Sequence, residues 1–154
     1  MEEIKIEISL KRLETAALSN EYQRLRDLAT CAARGAYAPY SHFKVGAAIA
    51  LNDGTMMIGS NQENIAYPSG LCAERVALFA ASASYPDQSV EAIAIIAMRD
   101  GIVQSFISPC GACRQVLLET EQRYGHSIRI LLCGKDESIL VASAKDLLPL
   151  SFSY

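Results

Sequence analysis

Three cysteines and one glutamate are the residues of this chain best suited to chemistry. Cys72-Ala73-Glu74-Arg75 is followed further along by Pro109-Cys110-Gly111-Ala112-Cys113. A C-x-x-C pair alone fits a redox dithiol or a structural zinc knuckle equally well. Joined to Cys72, it offers three thiolate ligands and leaves one position of a tetrahedral Zn²⁺ open, with Glu74 not needed as a ligand. A fourth Cys or His would close the site. His42 falls in a connector, His126 beyond the second ligand helix, and Cys31 and Cys133 are expected in the core. A structural zinc site or chance burial is the alternative, and it leaves Glu74 unexplained. Three thiolates give the metal centre net negative charge, so water there should be less acidic than in sites with neutral ligands, and a proton acceptor is needed. Glu74 is placed for that role. Arg75 is placed to hydrogen-bond the thiolates and offset their charge.

Elements of regular structure must bring these residues together. Cys72, Cys110 and Cys113 all fall at predicted helix starts, where unpaired N–H groups and the helix dipole favour thiolate over thiol. One helix follows Pro68-Ser69-Gly70, with Cys72, Val76, Phe79, Ala80 and Ala83 on one face. The other runs from Cys110 to about Tyr124, with Cys113, Val116, Leu117 and Thr120 inward. An earlier helix carries Tyr22, Leu25, Leu28, Ala29 and Ala32 inward, with Asn20 as cap, Gln23 as its box partner and Gly35 as stop. Cys31 on that helix reads as a small buried apolar residue. Val45–Leu51 and Thr55–Gly59 read as a hairpin closed by Asn52-Asp53-Gly54. Residues 92–97, 128–133 and 138–142 read as buried strands, and Ile4, Ile6 and Ile8 alternate as in a half-buried one. Strand, helix, strand, helix, strand predicts a parallel core with right-handed crossovers, made mixed by the hairpin. The fold expected is α/β, a three-layer α-β-α sandwich around a mixed five-stranded sheet.

Composition bounds what such a site can serve. The 154 residues suit one domain, 1–154, with a core of its own. The chain is 51% hydrophobic and 20% charged, an ordinary globular composition. A net charge of −3 argues against a nucleic-acid partner and favours a small, weakly charged substrate. Neither a signal peptide nor a membrane span is expected. Five cysteines, three at ligand spacing, indicate a reducing compartment, with cytoplasm as the default.

Several further stretches join the cysteine motifs: Ala38-Pro39-Tyr40-Ser41-His42-Phe43, Val45-Gly46-Ala47-Ala48, Asn61-x-Glu63-Asn64, Ser108 to Gln115, and Leu147-Leu148-Pro149. In order and spacing, from about residue 19 onward, the chain resembles the small, homotetrameric, zinc-dependent cytidine deaminases. Residues 1–18 are an extension that the resemblance does not cover. The resemblance implies one Zn²⁺ per chain on Cys72, Cys110 and Cys113, with Glu74 as proton shuttle. It implies hydrolytic deamination of cytidine and deoxycytidine in pyrimidine salvage. Asn61 and Glu63 would hold the sugar 3′-hydroxyl, the Ala73 N–H the pyrimidine O2, and Phe43 the base. Phe152, Tyr67 and the backbone at Ile65 would reach a neighbouring subunit's site, so that the active sites of a homotetramer are shared. Lys44, Gln62 and Ile65 depart from the usual residues, and Ile65 beside the 5′ end could reshape substrate preference. A deaminase of another aminopyrimidine nucleoside, blasticidin-like, or a non-catalytic zinc and nucleoside-binding protein are the competing readings.

Overall fold

Two strands with almost no polar residues form the centre of the molecule, because the sheet is covered on both faces. In the computed structural model, which describes residues 1–152, these are β2 (Phe43–Leu51) and β4 (Val90–Arg99). Around them lie β1 (Leu10–Glu14), α1 (Asn20–Arg34), β3 (Met56–Ser60), α2 (Ala73–Ser84), β5 (Ile102–Val103), α3 (Gly111–Tyr124), β6 (Arg129–Cys133), β7 (Glu137–Val141) and α4 (Ala144–Leu147). The strand order is β1-β7-β6-β4-β2-β3, with β5 pairing against β4.

Alternation along β2 sends Val45, Ala47, Ile49 and Leu51 into one core layer, shared with Ala77 and Leu78 of α2 and Leu117 of α3. Ala48 and Ala50 point into the other layer, under Leu25, Ala29 and Ala33 of α1. Helix, sheet and helix layers therefore stack as expected. Each fully buried isoleucine of β4 contributes about 2 kcal/mol through its apolar surface. Two glycines set how closely the helices approach. A Cβ on Gly46 would lie 1.9 Å from the Ala29 carbonyl oxygen of α1, and one on Gly59 would lie 2.5 Å from the Ala77 nitrogen of α2.

Several expectations need correction. The sheet has seven strands, not five, because β1 and β5 add to it. The alternating Ile4, Ile6 and Ile8 form no strand and are exposed, since no core lies beneath them; pairing begins only at Leu10, near the point where Leu13 reaches the α1 side of the core. The parallel core shrinks to one pair, β4 with β6; β2 separates β3 from β4, and β7 runs antiparallel to β6. The cap of α1 is Ser19, one residue earlier than expected, with its Oγ accepting from the Tyr22 N–H at 3.4 Å, while Gln23 bonds Asp27 instead of closing a box. On α2 the buried face is Ala73, Ala77, Leu78 and Ala81, with Phe79 48% exposed, because the alanines permit close approach to Gly59. Cys31 is exposed, on the solvent side of α1, whereas Cys133 is buried as expected.

Candidate active site

Helix starts gather the three sulfurs. Cys72 is the N-cap of α2 and Cys110 the N-cap of α3, both with extended backbone, and Cys113 lies in the first turn of α3. Neither cap sulfur accepts a backbone N–H of its own helix, which leaves both to face the junction between the two helices. The Cys72 Sγ lies 3.8 Å from that of Cys110, which is 3.5 Å from that of Cys113. All three sit within 4.8 Å of one another, the one such cluster among the described residues. Tetrahedral Zn²⁺ with bonds of about 2.3 Å places its sulfurs about 3.8 Å apart, so the residues fit the ion.

Charge is arranged for thiolate at Cys72. The Cys113 thiol donates to Cys72, and Arg75 adds a donor at 3.7 Å, so the Cys72 pKa falls well below that of a free thiol. Cys113 is pushed up by donating that proton and by burial. The Arg75 guanidinium has its own pKa raised by the same sulfur, and its Nε is buried without a partner among the described residues.

Glu74 is 4% exposed, and desolvation raises its pKa above the ordinary carboxylate value. Burial leaves it a proton carrier poised closer to neutrality than a surface glutamate.

A cavity of about 590 Å³ opens beside this cluster, its wall including Tyr40, Asn61, Glu63, Tyr67, Leu71, Cys72 and Arg75. Asn61 and Glu63 both line the cavity, and both are also tied to backbone. The Asn61 side chain accepts from Val45 N–H at 2.7 Å and donates to the Phe43 carbonyl at 2.9 Å. The Glu63 carboxylate accepts from the Tyr40 and Ser41 N–H groups and from the Ser41 hydroxyl, which holds its pKa below the usual range. This clamp on residues 40–41 escaped sequence reasoning, although Ser41 stood in a quoted motif; the pairing spans a separation no local pattern reports.

Of the other residues the sequence singled out, Tyr67 lines the cavity, whereas Phe43, Ile65, Ala73 and Phe152 are not in its wall. Phe43 is half-buried at the start of β2 with the Arg99 guanidinium 5.6 Å from its ring centre. Ala73 is fully buried, and its N–H belongs to the first-turn donors that α2 cannot satisfy itself. Ile65 and Tyr67 are 81% and 78% exposed, with Tyr67 edge-on to Tyr40. Phe152 is 72% exposed, and its carbonyl accepts from Gln115. A single chain leaves these three side chains open to solvent.

Residues 19–124 match the family model described as the cytidine and deoxycytidylate deaminase zinc-binding region, a stretch that contains all three cysteines and Glu74. The chain belongs to this deaminase family. A cytidine deaminase of Halalkalibacterium halodurans is 46% identical over 57% of this chain and 63% of its own length, just under two thirds. One from Sporosarcina psychrophila is 43% identical over 77% of this chain and 81% of that protein. The crystal structure of cytidine deaminase from Burkholderia pseudomallei superposes with a TM-score of 0.72 at 40% identity, covering 85% of this chain and 98% of that one. The deaminase fold accounts for the layers and for the two helix starts that meet; β1 lies before the matched region.

Proposed function

We propose that this chain is a zinc-dependent hydrolase that deaminates cytidine and deoxycytidine to uridine and deoxyuridine, releasing ammonia. The observation that carries the reading is the meeting of three sulfurs at two helix starts beside a buried glutamate. Cys72, Cys110 and Cys113 would hold one Zn²⁺ per chain, leaving a position for water. Zinc supplies Lewis acidity that lowers the pKa of water in the site. Glu74 removes the proton from that water and delivers it to N3 of the pyrimidine, which makes C4 electrophilic. The hydroxide left behind adds to C4, Glu74 takes the remaining proton from that oxygen and hands it to the amino nitrogen, and the C4–N bond breaks to release ammonia as the C4 carbonyl forms. The burial of Glu74 keeps bulk water from competing for that proton. Arg75, at hydrogen-bond range of the Cys72 sulfur, offsets thiolate charge.

The Ala73 N–H would meet the pyrimidine O2 and Phe43 the base, while Asn61 and Glu63 would hold the sugar 3′-hydroxyl with the hydrogen-bonding capacity their backbone contacts leave over. The exposure of Ile65, Tyr67 and Phe152 supports a homotetramer in which each reaches a neighbour's nucleoside. A thiolate site suits the cytoplasm and a role in pyrimidine salvage; among the described residues, no helix is long and apolar enough to cross a membrane.

The test is a panel of cytidine, deoxycytidine and a blasticidin-type nucleoside with the zinc-loaded protein. Loss of the cytidine absorbance band with stoichiometric ammonia is expected for the first two. Inertness toward both, or turnover of the antibiotic alone, overturns the proposal.

A further inference from the structure

The N-terminal arm lies outside the matched region, and none of its residues is in the cavity wall. Ile4, Ile6, Ile8 and Leu10 alternate along it, with relative exposures of 86%, 52%, 42% and 54%. Leu10 pairs with Val141 of β7, and an extended arm would carry Ile4, Ile6 and Ile8 onto the same face as Leu10, the one toward the α2 and α3 core. Among the described residues the arm before Leu10 forms no hydrogen bond with the rest of the chain, and β1 has a neighbour on one side only. An open edge continued by an amphipathic extended segment is a template for strand addition.

The charges name the occupant. When the arm is laid antiparallel against a second copy of itself with the two-fold axis at Glu7, Ile4 faces Leu10 and Ile6 faces Ile8. In the same register Glu3 faces Lys11, Glu2 faces Arg12 and Lys5 faces Ser9. All apolar residues meet apolar residues on one face, and every cation except Lys5, which faces Ser9, meets a carboxylate. The single like-charge pair is Glu7 with its own copy. Lys11 makes no ion pair among the described residues, and Arg12 already shows an affinity for carboxylate through Glu137 at 3.2 Å. Moving the axis to Ser9 sets Ile6 against Arg12 and Lys5 against Leu13, and moving it to Ile6 sets Leu10 against Glu2 and Lys11 against Met1, so of these three the Glu7 axis is the one that keeps every apolar residue of the arm opposite another.

We infer that residues 2–12 form an interface between two copies of this chain, each arm adding a strand to the outer edge of the other's β1 with Glu7 on the two-fold axis. Two sheets then run on as one through the paired arms. The interface is built from residues the deaminase site does not use, so it stands or falls independently of the proposed activity.

Cysteine scanning tests it whatever the core assembly is. In a zinc-loaded Cys31→Ser background, Glu3→Cys, Lys5→Cys, Glu7→Cys and Ser9→Cys are oxidised at low protein concentration, and covalent dimers are followed on denaturing gels. Directly opposed residues have Cα atoms about 4.5–5.5 Å apart, within disulfide reach, so Glu7→Cys should cross-link about tenfold faster than Glu3→Cys. Adding Glu2→Lys and Glu3→Lys should slow the Glu7→Cys reaction, and adding Lys11→Glu and Arg12→Glu to those should restore it. Equal slow cross-linking at all four positions overturns the interface. A maximum elsewhere, or no rescue by the reversed charges, overturns the register and the charge complementarity behind it.

Discussion

Replacing Glu74 by glutamine removes a proton carrier while keeping the shape of the side chain. The structure sets the size of the effect. Glu74 is 4% exposed, so bulk water has no path to substitute for it, and its pKa is raised by desolvation toward the working range. Glu63 is a carboxylate in the cavity wall, but three donors hold it and depress its pKa, which makes it a poor base. One proton transfer by a positioned side chain contributes about 10²–10⁴-fold, and Glu74 serves at least two, so Glu74→Gln should lower kcat by about 10⁴-fold or more. That is about 5 kcal/mol of transition-state stabilisation. The KM for cytidine should change little, since the amide fills the same volume. Zinc content should stay at wild-type level because the three sulfurs are untouched. Thermal stability should hold, since a neutral amide avoids the desolvation that raises the carboxyl pKa. Loss of the cytidine absorbance band gives the rate, and metal analysis and a melting curve provide the controls. A loss of less than tenfold in a folded, zinc-loaded variant would refute the proton-shuttle role.

Other perturbations test how the site is held. Gly59→Ala places a methyl group 2.5 Å from the Ala77 nitrogen and 2.6 Å from the Ala73 carbonyl oxygen, so α2 must shift; a loss of about 1–3 kcal/mol is expected in urea unfolding. Glu121 is buried and accepts from the Ile128 and Ala144 N–H groups and the Ser143 hydroxyl. Glu121→Ala strands two buried donors and should cost about 3–5 kcal/mol in the same experiment, with Glu121→Gln costing less. The Glu63 carboxylate has a depressed folded-state pKa, so its hold on the Tyr40 and Ser41 amides is fully present above the ordinary carboxylate range and is lost as pH falls through the lower folded value. Hydrogen-exchange protection at those amides should follow that course and drop in Glu63→Gln.

What the sequence revealed depended on how local each signal was. Cys72, Cys110 and Cys113 announced themselves because a ligand at a helix start needs only a breaker, a cap position and a following amphipathic turn. Their convergence followed from two crossover helices over one sheet. The buried face of α2 was misread because Val76, Phe79 and Ala80 are as apolar as Ala73, Ala77 and Ala81, and only the missing Cβ of Gly59 decides which side fits. Cys31 misled for a related reason: an alanine-rich helix does not mark its solvent side. β1 and β5 are short edge strands whose pairing depends on distant partners, Glu137–Val141 and Met98–Arg99. The clamp of Glu63 on Tyr40 and Ser41 joins two loops that no periodicity links.

The most direct measurement is a zinc titration of turnover. The chain is stripped of metal, Zn²⁺ is returned in steps, and conversion of cytidine to uridine is followed at each step. Turnover should be absent in the stripped protein, rise in proportion to bound metal and level off at one zinc per chain. Undiminished turnover without metal, or a fully loaded chain that converts neither cytidine nor deoxycytidine, would contradict the assignment of Cys72, Cys110, Cys113 and Glu74.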